Sequence, residues 1–582
     1  MLIKYMHFFS YFSILTGLFI STLAYTQSAK TDQQKVTFVS PLDIPLYLSS
    51  NYGEYRTGHF HAGVDFKTQQ VEGKNVFSVD SGYVYRIAVL AGGYGNALYL
   101  KHPSGHITLY GHLSKFESSI EKYIRDQQYM KKSFTVDLYP ERDQFIFRKG
   151  AFIGLSGNSG TSFGAHLHFE VRDNSGAIPL NPLQYGFAVS DKTLPEIRWL
   201  KIYALDTGSF INGMREDLVI KVLNSKSGNY LADTITVSGK FGLGIESYDF
   251  LDNTSNQCGP SFIELTIDNR RVFICRIDSV PFGSGGYINS YYDYGEMVRS
   301  GKKFQKLFID PNNNLNIYKL ALNRGILQFA DDLLHTVRIN VRDTYGNESE
   351  LKFYIKAKQV EASLPAIPDT FVVNRFTYDD LNVFENQHIR VVVPENALFD
   401  NIDFQYSESF NDSIPYSLIH QVHNRYTPLL NSCIISIRPE NLPEYLQAKA
   451  LVASRAAKGG WISQGGEFKN GYVTTRVKTF GEFIIAVDTV APAVNPVSFI
   501  PKARYVPGQV LSFTIEDTLS GIQKYSGFID KNWALFEYDA KNDLLSYSID
   551  SKRLTRGSLH DLEVVVSDNK GNITRYRSSF YY

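Results

Sequence analysis

The chain has 582 residues, with 59 basic and 59 acidic side chains and a formal net charge of zero. That length exceeds what one hydrophobic core serves, so three to five domains are expected. Charge neutrality excludes a global electrostatic pull toward nucleic acid or an anionic membrane. Aromatic residues at 14%, with 43 Gly and only 5 Met, favour sheets and turns over helical bundles.

Residues 1–27 read as a signal peptide. Lys4 supplies a positive start, residues 8–24 are apolar, and Ser21-Thr22-Leu23-Ala24 offers small side chains near a cleavage point. An uncleaved anchor is the alternative, because the apolar run is long for such a segment. No Cys follows the run, which argues against a lipoprotein. No other run approaches the ~20 apolar residues needed to span a bilayer, so no membrane span is expected in the mature chain.

Residues 28–190 carry the informative histidines and alternate short strands with turns. Strands are expected at 75–79, 82–87, 97–100, 107–110 and 167–172, as in a compact antiparallel sheet. The charged segment 116–149, helical over 118–132, reads as an insertion on a loop and a candidate wall for a substrate groove. Beyond residue 190 the chain is β-rich and divides at linker-like Val360-Glu361-Ala362-Ser363-Leu364-Pro365 and Asp488-Thr489-Val490-Ala491-Pro492. The pieces are a β-sandwich (191–358), a β-rich domain (359–488) and an immunoglobulin-like domain (489–582). The fold class is therefore mainly β: a sheet domain followed by two or three sandwiches. Val341-Arg342-Asp343-Thr344-Tyr345-Gly346-Asn347 recurs as Val566-Ser567-Asp568-Asn569-Lys570-Gly571-Asn572, each time between two alternating strands.

Three cysteines, Cys258, Cys275 and Cys433, leave two readings. A disulfide between the first two suits an oxidising compartment, and buried free thiols fit equally well. There is no CxxC, which excludes a cysteine zinc site.

Two short motifs describe an open metal site. His61-Ala62-Gly63-Val64-Asp65 is an HxxxD pattern and His166-Leu167-His168 an HxH pattern, with Tyr110-Gly111-His112-Leu113 between them. Imidazole and carboxylate are the usual N and O ligands of zinc, and three protein ligands plus a water make a catalytic site. Alternation in a strand puts His61 and Asp65 on one face, and likewise His166 and His168. Gly63 would leave room for the metal, and Leu167, Phe169 and Val171 would face the core. No HExxH occurs. His59 is a rival ligand at a longer spacing. His102 and His106 flank a Pro-Ser-Gly turn and read as solvated. His420 and His423 have no carboxylate or cysteine spacing to support a second metal. The glycine-rich run 154–164 lacks the GK[ST] ending of a phosphate loop, and tight turns explain it better.

Taken in order, His61-x3-Asp65, Tyr110-Gly111-His112-Leu113 and Gly160-Thr161-Ser162-Phe163-Gly164-Ala165-His166-Leu167-His168-Phe169-Glu170 resemble the lysostaphin/LytM-type (duplicated hybrid motif) zinc endopeptidases. Asn51-Tyr52-Gly53-Glu54-Tyr55-Arg56 is similar as well. The resemblance covers about residues 50–187. It implies His61, Asp65 and His168 as ligands of one Zn2+, with His112 and His166 as the catalytic pair in either division of roles. Glu170 shares the face of His168, so it either orients that imidazole or forms an exposed salt bridge. The resemblance further implies an exported zinc metalloendopeptidase that hydrolyses peptide cross-links of peptidoglycan. Its partners would be stem peptides and, through the C-terminal β domains, envelope proteins. A neutral chain without a recognised wall-binding repeat suits a periplasm with D-alanyl–diaminopimelate links. The rivals are a non-catalytic scaffold or activator of another hydrolase, a protein substrate, and a latent site covered by 116–149 or a downstream domain.

Overall fold

A computed structural model of the chain describes residues 36–225, 228–231, 233–359 and 374–582. The signal peptide (1–27) and the linker expected at 360–365 lie outside the described residues. Among those described, no helix is long and apolar enough to cross a membrane.

The N-terminal β domain is built on one large antiparallel sheet. We label its strands β1 (Leu48–Ser50), β2 (Val64–Lys67), β3 (Asn75–Phe77), β4 (Gly82–Val89), β5 (Asn96–Lys101), β6 (Ile107–Gly111) and β7 (Lys115–Phe116). Helix α1 (Ser118–Lys131) follows, then β8 (Val136–Leu138), β9 (Phe152–Leu155) and β10 (His166–Arg172). The main sheet runs β1-β2-β10-β6-β5-β4-β8, and β3-β9-β7 forms a second small sheet. Central β10 alternates as expected: Leu167, Phe169 and Val171 are wholly buried, with Phe169 packed against Phe66 and Tyr110.

Segment 116–149 departs from the expected loop insertion. Val136–Leu138 and Ile146–Phe147 both pair with β4, so two short strands of the segment extend the sheet beyond its helix. Helix α1 starts at Glu117, whose carboxylate caps the Ser119 amide at 2.9 Å, and it buries the stripe Ile120, Ile124 and Gln128. Its other face meets the C-terminal sandwich. The Tyr129 ring packs edge-on against Trp533 at 5.3 Å, and Arg553 stacks over Tyr129 at 3.3 Å.

The next sandwich pairs a four-stranded sheet around Glu196–Ala204 and Phe241–Tyr248 with a larger one around Leu334–Arg342 and Glu348–Ala357. Strict period-two patterning drives it: Ser349, Leu351, Phe353, Ile355 and Ala357 point inward while Glu348, Glu350, Lys352, Tyr354 and Lys356 point out. Its core is continuous with Tyr52 and Phe60 of the first domain. Tyr52 Oη donates to the Pro179 carbonyl at 2.8 Å and accepts from the Val280 amide at 2.9 Å. Residues Asn382–Val487 form a pair of five-stranded sheets together with a two-stranded ribbon of Arg375–Phe376 and Ile402–Asp403, and Ala493–Tyr581 a pair of four-stranded sheets. All three cysteines are buried free thiols, so the Cys258–Cys275 disulfide is not formed.

Candidate metal centre

Register brings the site together. In the sheet, His168 lies directly opposite Asp65 of β2 on one side and Gly111 of β6 on the other. Directly paired antiparallel residues stand about 5 Å apart at Cβ, within reach of an imidazole and a carboxylate. His61 arrives differently from the expected strand alternation. Residues 61–63 lie outside any strand, and β2 begins only at Val64, so a bend rather than a shared strand face turns His61 toward Asp65. Gly63 also has a different reason from the one expected. A Cβ there would stand 2.2 Å from the Phe169 carbonyl oxygen and 2.8 Å from Glu170 Cγ. The glycine admits the neighbouring strand, not the metal.

Three donor atoms converge: His61 Nε2 lies 3.2 Å from Asp65 Oδ1 and 3.2 Å from His168 Nδ1, and the last two are 2.8 Å apart. Ligands bound at 2.0–2.1 Å to a tetrahedral ion sit about 3.4 Å from one another. The remaining ring nitrogens assign the tautomers. His61 Nδ1 donates to the Asn51 carbonyl at 2.7 Å, and His168 Nε2 donates to Glu170 Oε1 at 2.9 Å. Against the pull of burial, Asp65 and Glu170 raise the His168 imidazole to about 9, so a proton bridges Nδ1 and Asp65 Oδ1 when no cation is there. With that proton displaced, two imidazole lone pairs and one carboxylate oxygen face one point, a donor set that fits a cation of the zinc type. Among the described residues this trio is one of three carboxylate- or histidine-containing groups close enough to share an ion, and the only one containing imidazole.

His112 and His166 flank the trio. Their rings are 4.8 Å apart at the centroids, and His166 Nε2 is 3.5 Å from Asp65 Oδ1. Backbone carbonyls hold the other nitrogen of each: His112 Nδ1 donates to Ser159 at 2.8 Å and His166 Nδ1 to Gly164 at 2.8 Å. Each therefore presents a bare Nε2. His112 adopts φ 59°, a left-handed conformation uncommon for a residue with a side chain and concentrated at functional sites. Burial, then the neighbouring His168 and His166, pulls its imidazole down to about 3, so it is an unprotonated acceptor at neutral pH. Next to Ser159, Gly160 packs against a neighbouring loop: at φ +70°, a Cβ there would meet the Gly95 amide at 2.4 Å. The glycine-rich run leaves strand β9 at Leu155, bridges His166 at Gly157 and bends against the Gly92–Gly95 turn.

Glu170 is fully buried, which removes the exposed salt-bridge reading. Burial alone would raise its carboxyl; Arg172, 2.6 Å away, and His168 outweigh that and hold it down to about 2. Tyr94 Oη donates to Glu170 Oε1 at 2.5 Å. On the other side, Arg56 Nη2 reaches Asp65 Oδ2 at 3.0 Å. Motif reading missed Tyr94, Arg172 and Arg56. Period-two spacing through 166, 168, 170 and 172 signals Arg172, and Arg56 stood in the family-like stretch before the motif; nothing local marks Tyr94.

The rival histidines separate from the site. His59 is exposed and bonds to the Thr57 carbonyl at 3.1 Å. His102 is not a solvated turn residue: it is 4% exposed, held by the Ser81 carbonyl at 2.9 Å and Thr108 Oγ1 at 2.7 Å. His106 is half-buried against Phe38 and Tyr185. Both were drawn inward because the turn folds back over the Phe38 ring. His420 and His423 bond to Tyr406 Oη at 2.8 Å and Thr427 Oγ1 at 2.9 Å rather than to carboxylates.

Residues 59–135 match the model of Peptidase family M23, and residues 373–488 that of a Zu5-like domain. An "Uncharacterized metalloprotease" of Haemophilus influenzae is 37% identical over 123 residues, 21% of this chain and 20% of the relative. The "DD-carboxypeptidase/endopeptidase Mpg" of Neisseria meningitidis serogroup B is 32% identical over 174 residues, 29% of this chain and 33% of the relative. The chain thus spans a fifth to a third of the length of these curated relatives. Among solved structures, the catalytic domain of lysostaphin from Staphylococcus simulans is 28% identical, covering 23% of this chain and 86% of that one, with a TM-score of 0.17. A zinc-containing peptidase from Vibrio cholerae is 24% identical over 26% of this chain and 36% of that one, with a TM-score of 0.17.

Proposed function

We propose, from the premise that this chain carries a Peptidase family M23 domain, that it is an exported zinc metalloendopeptidase cutting peptide cross-links of peptidoglycan in the periplasm or cell envelope. The observation that carries this reading is the convergence of two imidazole nitrogens and one carboxylate oxygen, the other nitrogen of each ring being tied to an acceptor. The name of the Neisseria relatives supports stem peptides as substrate. The segment limits 28–190, 191–358, 359–488 and 489–582, and the immunoglobulin-like character of the last, belong to the same proposal, with envelope proteins as partners of the β domains.

In this reading His61, Asp65 and His168 hold the zinc, which supplies Lewis acidity at the scissile carbonyl and a nucleophilic water near neutral pH. His112 and His166 hold bare Nε2 atoms beside that position. One accepts the proton of the attacking water, and the same or the other delivers it to the leaving amine. Once protonated, either stabilises negative charge on the carbonyl oxygen. Glu170, Arg172 and Tyr94 keep the His168 ring turned so that Nδ1 faces the metal position.

The test is digestion of purified muropeptides by the full chain, with and without chelator and with His168→Ala, read by mass spectrometry. Cleavage that both chelator and His168→Ala abolish supports the proposal. A zinc-loaded chain that leaves every stem peptide intact counts against it and favours latency. One observation speaks for that second reading. The Lys541 ammonium of the C-terminal sandwich bonds the Asn158 carbonyl, next to the Ser159 carbonyl that orients His112.

A further inference from the structure

Away from the peptidase centre, three carboxylates meet where the first domain passes into the second. Asp191 lies in the connecting segment before Glu196–Ala204, and Asp249 follows Phe241–Tyr248. Asp343 continues the inward-facing series Val337, Ile339 and Val341 one step past its strand. One oxygen of each lies within 4.8 Å of the others. Asp249 is 3% exposed and Asp343 5%.

Their hydrogen bonds leave a remainder. Asp343 Oδ1 accepts from the amides of Tyr345, Gly346 and Asn347 at 2.8, 2.6 and 2.9 Å, and its Oδ2 from Asn347 Nδ2 at 2.6 Å. Asp191 Oδ1 accepts from the Thr193 amide at 3.0 Å. Asp249 Oδ1 and Asp191 Oδ2 are buried with no partner. The charged groups that face them are carboxylates: Asp343 and Asp252 beside Asp191, and Asp191 and Asp343 beside Asp249. Carboxyl groups crowded in such a place either take up protons or gather round a positive partner.

The repeated motif provides an internal comparison. Asn572 Nδ2 bonds Asp568 Oδ2 at 2.7 Å and the Asp488 carbonyl at 3.0 Å, as Asn347 Nδ2 bonds Asp343 Oδ2 at 2.6 Å and the Asp191 carbonyl at 3.2 Å. Asp488, Asp517 and Asp568 accordingly form an equivalent triad. There the two oxygens of Asp488 accept from the amides of Val490 and Ser520. The Lys570 ammonium stands among Glu467, Asp488 and Asp568, and Lys449 Nζ bonds Asn572 Oδ1 at 2.6 Å. The second triad thus carries its own cations. At the motif position of Lys570 the first copy has Tyr345.

We propose that Asp191, Asp249 and Asp343 bind one hard divalent cation of the calcium class, bracing the junction between the first and second domains. An all-oxygen, multiply anionic donor set selects calcium or magnesium over zinc. Oxygens bound at about 2.4 Å to one ion lie at most about 4.8 Å apart, as these do, and calcium tolerates an irregular cage that magnesium does not. The junction matters to the peptidase centre through a short path. Asp249 and Cys258 exchange backbone bonds at 2.9 and 2.8 Å; the next residue, Gly259, is clasped by the Asn51 side chain at 2.7 and 3.0 Å; and the Asn51 carbonyl holds His61 Nδ1.

The experiment is calorimetric titration of CaCl2 into the zinc-loaded full chain, with thermal unfolding in CaCl2, MgCl2 or neither. Expected are one saturable calcium site per chain and a calcium-dependent rise in Tm. Asp249→Asn and Asp191→Asn should each weaken binding at least tenfold and flatten the Tm response, whereas Asp517→Asn in the second triad should retain both. Asp191 sits outside the sheets, so its variant carries the test if Asp249→Asn does not fold. A chain that neither binds calcium nor gains Tm overturns the proposal. So does calcium binding that both variants leave intact, or a response to magnesium alone.

Discussion

His168 donates Nε2–H to Glu170 at 2.9 Å, and in doing so turns its Nδ1 toward Asp65 at 2.8 Å. A buried, ionised carboxylate accepts only, so Glu170 selects the tautomer. Glu170→Gln keeps the shape but presents either an amide NH2 or a weaker acceptor to the ring. Zinc affinity should fall about 10- to 100-fold, the usual cost of losing such a partner, as measured by competition with a chromogenic chelator. Unchanged affinity would mean that packing alone orients His168.

His112 and His166 differ in burial: His112 is 7% exposed and His166 lies nearer the surface. Neither belongs to the converging trio. His112→Ala and His166→Ala should therefore retain zinc while lowering kcat by roughly 100- to 10,000-fold, the range for loss of a general acid or base. Metal content by atomic emission together with muropeptide turnover separates the outcomes. Loss of zinc in either variant would make that histidine a ligand instead.

The C-terminal sandwich touches the first domain through Trp533, Arg553 and Lys541. If this contact restrains the Asn158–Ser159 turn, Trp533→Ala should raise the turnover of stem peptides several-fold without altering zinc content. An unchanged or lower rate would give the sandwich a positioning or substrate-holding role. Hydrogen exchange across residues 118–131 reports whether the contact has loosened.

His420 is buried in the third pair of sheets with Nε2 unpartnered. Burial, partly offset by Glu408, lowers its imidazole to about 4. Below pH 6.5 the unfolded chain takes up a proton that the folded chain refuses, so stability falls as pH drops from 6.5 toward 4. The loss reaches roughly 3 kcal/mol at the lower end. His420→Gln should remove this slope. Hydrogen exchange of Ile419–Val422 at pH 7 and pH 5 measures it, and equal protection at both values in the native chain would refute the assignment.

Much of the candidate metal centre was legible because its residues come as short-range patterns. His166, His168, Glu170 and Arg172 share one face through simple alternation, and His61 and Asp65 share one motif. The mainly β character followed equally directly from strands such as Glu348–Ala357, where every second residue is apolar or small. Periodicity is a local property, so sequence carries it.

Tertiary structure decided what depends on approach between distant segments. Gly63 exists for the Phe169 carbonyl across the sheet. His102 went inward because the Phe38 ring covers its turn. Tyr94 reached Glu170 from 76 residues away. The acidic triad at Asp191, Asp249 and Asp343 was half-visible as a repeated Asp343-Thr344-Tyr345-Gly346-Asn347 motif. Its bare oxygens emerged only when a connecting segment and two strand ends met. Burial and hydrogen-bond satisfaction belong to the packed whole, and no local spacing encodes which polar atom will be left without a partner.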